Sequence, residues 1–167
     1  MDYYRMKEAC EIHNTQLDVS DIESIMIGSI DSALVAQNIM LMAESNGLGG
    51  VIIGGIRNNP QKIIEMLNLP KLTFPLFGIC LGYPDINQIP WEKPRLPNRI
   101  SVFQESYDTE FIVEGLEEYE EITSDYYCKR TDGARNTGWC TSTSEYISKP
   151  RRPGLIKDLK LQGFECK

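Results

Sequence analysis

The longest regular pattern of apolar residues lies between Ser20 and Ser45. Residues 20–23 (SDIE) match a capping box, in which the Ser20 hydroxyl and the Glu23 carboxylate satisfy free amides at a helix start. The apolar residues that follow occupy most of the helix circumference, which predicts a helix buried on more than one side. Asn46 and Gly47 then supply a left-handed stop. We predict a long central helix that ends at about Ser45.

Two short apolar segments after this helix predict strands. The first, residues 51–53 (VII), lies between the glycine pairs at 49–50 and 54–55. The second, residues 74–83 (FPLFGICLGY), is apolar at successive positions, which indicates a strand buried on both faces. Between the two segments, Asn59 can cap a helix with Pro60 at its first position, and that helix should stop before Pro70.

The second half of the chain alternates stiff loops with polar helices. Four prolines make residues 83–97 an extended loop, and long loops in small domains are often functional. The period-two apolar positions Ile100 and Val102 predict another strand over residues 99–107. Further along we expect an acidic helix over 114–129, a polar loop over 131–138, a short helix over 139–148 and a final short helix ending near Gly163.

Composition fits one globular domain spanning residues 1–167. The chain is 41% hydrophobic and 25% charged, which excludes a disordered, collagen-like or small disulfide-rich protein. A net charge of −7 argues against general nucleic-acid binding, because phosphate backbones repel an acidic surface. Local basic clusters can still bind small anions.

Cysteine and histidine usage indicates a reduced, cytoplasmic protein without a metal centre. The 5 cysteines are far apart and form no C-x-x-C pair, and the only histidine, His13, lies in a polar stretch. Residues 1–13 carry charges that a signal peptide lacks. No uninterrupted apolar run approaches the roughly 18 residues of a membrane span, so no membrane contact is expected.

The glycine-rich stretch at residues 47–55 invites comparison with dinucleotide-binding loops. A Rossmann fingerprint follows a strand and opens a helix, whereas these glycines follow a helix and precede a strand. Gly47 is explained as a helix stop. Gly54 and Gly55 either make a tight turn or leave bare backbone where a flat ligand can approach closely.

Two pairs of cations are the remaining candidates for binding chemistry. Lys93 and Arg95 flank a proline on the stiff loop, and Arg130 and Arg135 flank a polar loop. Arginine can hold two phosphate oxygens at once and lysine acts as a point charge. The alternative for both pairs is an ordinary solvated surface. No nucleophile–base pair and no glycosidase-like carboxylate pair can be assigned.

These segments, in this order, resemble one family, the NADPH-dependent nitroreductases and flavin reductases. The matching motifs are residues 43–59 (AESNGLGGVIIGGIRNN), 75–84 (PLFGICLGYP), 93–97 (KPRLP), 126–130 (YYCKR), 149–153 (KPRRP) and 162–164 (QGF). The resemblance implies an α+β, nitroreductase-like fold with helices around an antiparallel-dominated sheet. It also implies an intertwined homodimer with FMN at the subunit interface.

The resemblance also implies a role for each candidate residue. The flavin would lie against Ile52, Ile53, Gly54 and Gly55; its phosphate would meet Lys93 and Arg95; and the 2′-phosphate of NADPH would meet Arg130 and Arg135. The implied reaction passes a hydride from NADPH to FMN. Two electrons then go to a small-molecule acceptor (a nitroaromatic, a quinone or free flavin) by a ping-pong scheme.

The chain also departs from the family pattern. It carries no Arg-Ser-x-Arg segment of the kind that grips the flavin phosphate, and it begins just before the family's long central helix. We therefore expect an N-terminally truncated fold that lacks some strands of the sheet and exposes strand edges. One alternative is a catalytically inactive dimerisation or binding module of the same fold. Another is a simple phosphate-binding domain using Lys93 and Arg95.

Overall fold

A computed structural model describes residues 1–167, which group into two compact units. Unit 1 comprises Met1–Asp85 with Arg152–Lys167, and unit 2 comprises Ile86–Arg151. The helices and strands are α1 (Tyr4–Ile12), α2 (Ile22–Ser45), β1 (Gly49–Ile53), α3 (Pro60–Met66), β2 (Gly78–Gly82), α4 (Ile112–Arg130), α5 (Trp139–Ile147) and α6 (Leu155–Leu161). Short 3-10 turns occupy Gly54–Asn58, Ile86–Gln88 and Asn98–Ile100.

Helix α2 is the predicted central helix, but its cap differs by one residue. Asp21, not Ser20, is the N-cap: its backbone is extended and its carboxylate accepts a hydrogen bond from the Ser24 amide at 3.3 Å. The capping-box prediction was therefore wrong, because a helix beginning at Ile22 places Asp21 at the capping position. The predicted end is confirmed: the helix stops at Ser45, and Gly47 takes a φ of 73°.

The apolar surface of α2 is mostly exposed, which contradicts the prediction of burial on more than one side. Its buried positions are the small residues Ser24, Gly28, Ala36 and Ala43. Unit 1 only partly covers the larger side chains, which are 40–66% exposed: Met26, Ile27, Ile30, Leu34, Val35, Ile39, Leu41 and Met42. The apolar pattern of α2 therefore indicates packing contacts that unit 1 does not itself provide.

Length and composition also make α2 long and apolar enough to cross a membrane, although no continuous apolar run suggested it. The difference arises because the residues that interrupt the apolar run are mostly small or uncharged, and Asp31 is the only charge between Glu23 and Glu44. Apolar core helices pass the same test of length and composition. The expectation of no membrane contact stays a prediction.

The sheet consists of β1 and β2 paired antiparallel, with Val51 opposite Cys80 and Ile52 opposite Ile79. Each strand therefore has an unpaired outer edge, as expected. The second strand is shorter than predicted and is not buried on both faces: it begins at Gly78, and its last three residues are exposed. Phe74, which precedes it, is 2% exposed and contributes to the core instead.

No strand forms over residues 99–107, where one was predicted. Ile100 is buried in the 3-10 turn Asn98–Ile100, while Val102 is 67% exposed. A Cβ added at Gly115 of α4 would lie 2.6 Å from Cγ2 of Ile100, so a glycine there admits this turn. The period-two pattern came from one buried turn residue, not from a pleated strand.

The core of unit 1 joins segments distant in sequence. Ile64, Phe74, Leu159 and Phe164 form the buried cluster. The N-terminal residues, which no pattern assigned to an element, complete it: the Tyr3 amide donates to the Leu72 carbonyl at 2.8 Å. The Tyr3 ring also meets the Phe164 ring edge-on, with centroids 5.9 Å apart.

Unit 2 is organised by one face of α4. The acidic helix was predicted close to its observed bounds, and its buried positions are Gly115, Tyr119, Thr123 and Tyr126. Helix α5 packs against this face, where the Trp139 amide donates to the Thr123 hydroxyl at 2.8 Å. The predicted helix at 139–148 and the predicted loop before it are both present.

Replacing Phe164 with alanine should strongly destabilise the chain. Its side chain is 0% exposed, so the change leaves a cavity in the unit 1 core and should lower the free energy of unfolding by about 3–5 kcal/mol. Leu161→Ala, at a residue that is 48% exposed in the same region, is the control and should cost much less. Urea denaturation of both variants measures this, and equal losses would contradict the assigned core.

Candidate functional site

Unit 1 presents an exposed apolar strand that runs directly into bare backbone. Ile52 and Ile53 at the end of β1 are 48% and 37% exposed. At Gly55 an added Cβ would meet only Cγ2 of Ile53, at 3.8 Å, so the backbone there is open on that side. An apolar edge followed by a side-chain-free turn suits a flat, largely apolar ring such as a flavin, and these residues fit it.

Two arginines fix the turn that carries the glycine pair. Arg152 donates from Nη2 to the Gly54 carbonyl at 3.3 Å and from Nε to Oδ1 of Asn58 at 3.0 Å. Arg57 donates to the Leu76 carbonyl and lies against Gly54, where an added Cβ would be 3.1 Å from its guanidinium. The turn is therefore held from both of its ends.

The loop carrying Lys93 and Arg95 is anchored to α4 in unit 2. Tyr119 donates its hydroxyl hydrogen to the Pro94 carbonyl at 2.8 Å, and Tyr126 donates to the Trp91 carbonyl at 3.1 Å. These bonds fix the backbone on both sides of Lys93. Both cations remain exposed at the surface, and as a lysine–arginine donor set they fit a phosphate monoester.

The end of α4 gathers the other predicted cations. Arg130 donates from Nη1 to the Tyr126 hydroxyl at 3.1 Å. Arg135 lies over the Tyr127 ring, with its guanidinium carbon 3.5 Å from the ring centroid, and Lys93 Nζ is 5.7 Å from the same centroid. The sequence paired Lys93 with Arg95; the structure also brings Lys93 to the ring that holds Arg135.

This environment changes the acidity of Tyr127. A hydrogen bond from Lys93 is the main cause that lowers the pKa of the phenol, and burial opposes it. The charges of Lys93, Arg135 and Arg130 lower the pKa further. The phenol therefore lies in a distinctly electropositive environment within an acidic protein.

The loop at residues 131–138 is held in place by a carboxylate of α4. Glu120 accepts hydrogen bonds from the amides of Gly138, Cys140 and Thr141, and from the Thr141 hydroxyl at 2.5 Å. A Cβ added at Gly138 would lie 2.3 Å from the Glu120 carbonyl oxygen, so only glycine permits this approach. The helix start at α5 and the loop carrying Arg135 are thereby fixed together.

Four residues of this arrangement were not singled out from the sequence as site residues: Tyr119, Glu120, Tyr126 and Tyr127. A signal for the two anchoring tyrosines existed, because Tyr119, Thr123, Tyr126 and Arg130 follow the spacing of one helix face. Glu120 was indistinguishable from the other acids of α4. Only the fold shows that it meets the free amides at the start of α5.

Cys140 of unit 2 is not arranged as an activated nucleophile. Cys140 donates its S–H to the Leu116 carbonyl at 3.3 Å, and burial raises its pKa above the ordinary value. A raised pKa keeps the thiol protonated at neutral pH, the opposite of what a reactive cysteine needs. The arrangement can bind and orient anions and flat rings, and its residues alone offer no covalent chemistry.

Two family models match the chain. The model described as "Nitroreductase family" matches residues 11–83, and "Nitroreductase family, C-terminal domain" matches residues 93–167. Similar proteins include an NADPH-dependent oxidoreductase of Staphylococcus saprophyticus, 38% identical over 98% of this chain and 67% of the relative. An FMN reductase [NAD(P)H] of Bacillus subtilis is 35% identical over 98% of this chain and 66% of the relative.

Solved structures of similar proteins share the fold. The hypothetical oxidoreductase YcnD from Bacillus subtilis matches 99% of this chain and 67% of its own, with a TM-score of 0.94 and 34% identity. The NADPH:FMN oxidoreductase from Vibrio harveyi complexed with NAD+ matches with a TM-score of 0.83 and 34% identity, over 100% of this chain and 66% of its own. The chain thus spans about two thirds of the length of these proteins.

Glu120→Gln should destabilise the chain in a pH-dependent way. The hydrogen bonds to Thr141 chiefly lower the pKa of Glu120, so its stabilising effect is present above the ordinary glutamate pKa and is lost as the pH falls through the lower, folded-state value. At pH 7 the variant should lose about 1 kcal/mol of unfolding free energy. The difference from wild type should shrink in acid below about pH 4.

Urea denaturation at pH 7 and at low pH measures this effect. Glu121→Gln, at an exposed neighbouring position on α4, is the matched control and should leave stability nearly unchanged. A Glu120→Gln loss that is the same at every pH would contradict the assigned ionised cap.

Proposed function

The chain belongs to the nitroreductase family, and from that premise we propose that it is an FMN-dependent oxidoreductase that draws electrons from NADPH. The observation that carries the proposal is the anchored, exposed pair Lys93 and Arg95, a phosphate-binding donor set held by Tyr119 and Tyr126. The names of similar proteins support it, because they include NADPH-dependent oxidoreductases and an FMN reductase.

Each candidate residue has a place in this proposal. The FMN ring lies against Ile52, Ile53, Gly54 and Gly55, and its phosphate binds Lys93 and Arg95. Arg130 and Arg135 bind the 2′-phosphate of NADPH. This phosphate monoester carries up to two negative charges, and a guanidinium can contact two of its oxygens at once. In unit 1, Arg152 keeps the glycine turn open by holding the Gly54 carbonyl.

The chemistry of the reaction belongs to the cofactor. Bound FMN would supply the redox chemistry, namely hydride uptake from NADPH and two-electron delivery to a second substrate, which we propose to follow a ping-pong sequence. The chain's residues bind and orient the two phosphates and present an apolar edge to the ring, which keeps water from one of its sides. Proposed acceptors are nitroaromatics, quinones or free flavin, and an oxygen-insensitive NADPH nitroreductase of Salmonella typhimurium is among the similar proteins.

A homodimer is the proposed functional assembly. The exposed apolar face of α2 and an apolar groove of about 860 Å³, lined in part by Val35, Ile39 and Phe77, leave more apolar surface in water than a stable monomer usually exposes. A second copy of the same chain covers such a surface symmetrically. We propose that the protein is a cytoplasmic dimer that binds neither nucleic acid nor membranes.

A second candidate function is a dimerisation or binding module of the same fold without turnover. The exposed α2 face favours it, since that face needs a covering surface whether or not FMN binds. FMN titration separates the two candidates. A dimer that binds no FMN supports the module, and an FMN-bound dimer supports the enzyme.

Purified chain titrated with FMN should bind it and then oxidise NADPH in the presence of a nitroaromatic or quinone acceptor. Lys93→Ala/Arg95→Ala should weaken FMN binding by at least about tenfold, because two charge-assisted contacts to its phosphate are lost. Lys149→Ala, which removes an exposed cation elsewhere in unit 2, should bind FMN as wild type does. Flavin absorbance and fluorescence report the binding. A wild-type protein that retains no FMN after unbound flavin is removed would overturn the enzymatic proposal.

Leu34→Glu should break the proposed dimer. Leu34 is 60% exposed on the apolar face of α2. An unpaired carboxylate buried at an interface should cost about 3–5 kcal/mol of dimerisation free energy, as in buried ion pairs that lose one partner. Gln16→Glu adds the same charge at an exposed position outside α2 and should leave the dimer intact. Light scattering after size exclusion measures both, and a monomeric wild type would rule out the dimer.

A further inference from the structure

One aromatic ring of unit 2 contacts two cations that the proposed function assigns to different phosphates. Lys93, assigned to the FMN phosphate, has its ammonium 5.7 Å from the Tyr127 ring centroid. Arg135, assigned to the 2′-phosphate of NADPH, has its guanidinium carbon 3.5 Å from the same centroid. Tyr127 itself has no part in the proposed function.

The two ends of this side chain engage the two cations differently. The negative face of the ring attracts the Arg135 guanidinium, whereas Lys93 approaches the hydroxyl. Arg135 has further fixed partners: its Nη2 donates to the Ser142 hydroxyl at 2.8 Å, and its amide donates to the Thr131 hydroxyl at 2.8 Å. Its guanidinium is thus restrained both by a hydrogen bond and by the ring.

The neighbouring tyrosine shows that Tyr127 has a different role. Tyr126 is buried, contacts Arg130 and anchors the loop backbone through the Trp91 carbonyl. Tyr127 is only half-buried, and its polar end meets the Lys93 side chain instead of a backbone carbonyl. The Tyr126 and Tyr127 rings meet edge-on with centroids 5.2 Å apart, so the first tyrosine supports the second.

We propose that Tyr127 is a positioning residue that orients Lys93 through its hydroxyl and Arg135 through its ring, and so aligns the flavin-phosphate and nucleotide-phosphate contacts together. This inference rests on the proposed function. It assigns the two ends of one side chain to two different ligands. The substitutions Tyr127→Phe and Tyr127→Leu therefore have different consequences.

Tyr127→Phe keeps the ring and removes the hydroxyl. It should weaken FMN binding by about threefold to tenfold and leave binding of adenosine 2′,5′-bisphosphate unchanged. Tyr127→Leu removes the ring as well, so it should also weaken adenosine 2′,5′-bisphosphate binding by about threefold to tenfold. Calorimetric titration of the chain with FMN, adenosine 2′,5′-bisphosphate and 5′-AMP measures the affinity for each ligand, and 5′-AMP binding should not respond to either substitution.

Turnover provides a readout that loss of stability would not reproduce. With NADPH as donor, Tyr127→Leu should raise KM about as much as it weakens adenosine 2′,5′-bisphosphate binding, while KM for NADH stays at the wild-type value. Tyr127→Phe should restore the NADPH value. Tyr146→Leu is the matched control, because Tyr146 makes a similar contact with Arg151, whose guanidinium carbon is 4.0 Å from its ring centroid.

Several outcomes would overturn the inference. Wild-type binding of both ligands with no change in Tyr127→Leu removes the positioning role and leaves the proposed function standing. Equal losses for adenosine 2′,5′-bisphosphate and 5′-AMP, or equal effects of Tyr146→Leu, indicate a general structural effect and also reject it. A wild-type chain that binds neither FMN nor adenosine 2′,5′-bisphosphate overturns both the inference and the function beneath it.

Discussion

The buried face of α4 is the constraint on which the candidate phosphate contacts depend. Tyr119 and Tyr126 lie on that face and use their hydroxyls to hold the carbonyls of Pro94 and Trp91, so the loop bearing Lys93 takes its shape from the helix. Burial of a tyrosine ring requires a partner for its hydroxyl, and here the partner is the loop backbone. A substitution that loosens the packing of α4 would therefore change the position of Lys93 without altering that residue.

Unit 1 follows a different logic, because much of its apolar surface lacks a partner within the chain. Its core joins residues near both ends of the sequence, while β1, β2 and the outer face of α2 remain open. Unpaired strand edges and a wide apolar helix face are unfavourable in water unless another surface covers them. The same exposed apolar surface leaves Ile52 and Gly55 accessible to a flat ligand. The features that favour association with another chain therefore also suit the unit to ligand binding.

The sequence predicted those parts of the fold that local chemistry decides. The end of α2 and the start of α3 followed from Asn46, Gly47, Asn59 and Pro60, and the presence of two strands, though not the bounds of the second, followed from apolar runs near glycines. It failed where long-range packing decides: Ile100 formed a buried turn beside Gly115, and Met1 and Tyr3 packed against a core that no periodicity revealed. The candidate cations could be named from their spacing and family resemblance, but their supports, Glu120 and the tyrosines, depend on contacts between segments distant in sequence.

The position of the cations at the end of a helix helps to explain how an acidic protein maintains them. Lys129 and Arg130 lie in the last turn of α4, where the helix dipole carries partial negative charge and favours cations. The acidic residues lie earlier in the same helix, and Glu118 pairs with Arg99 at 2.7 Å instead of with the phosphate-binding candidates. Charge is thus separated along one helix, so a net charge of −7 does not prevent a local site for anions. In the proposed function, an arriving phosphate would meet cations already stabilised by the helix end or by aromatic rings, and its binding would require little rearrangement of them.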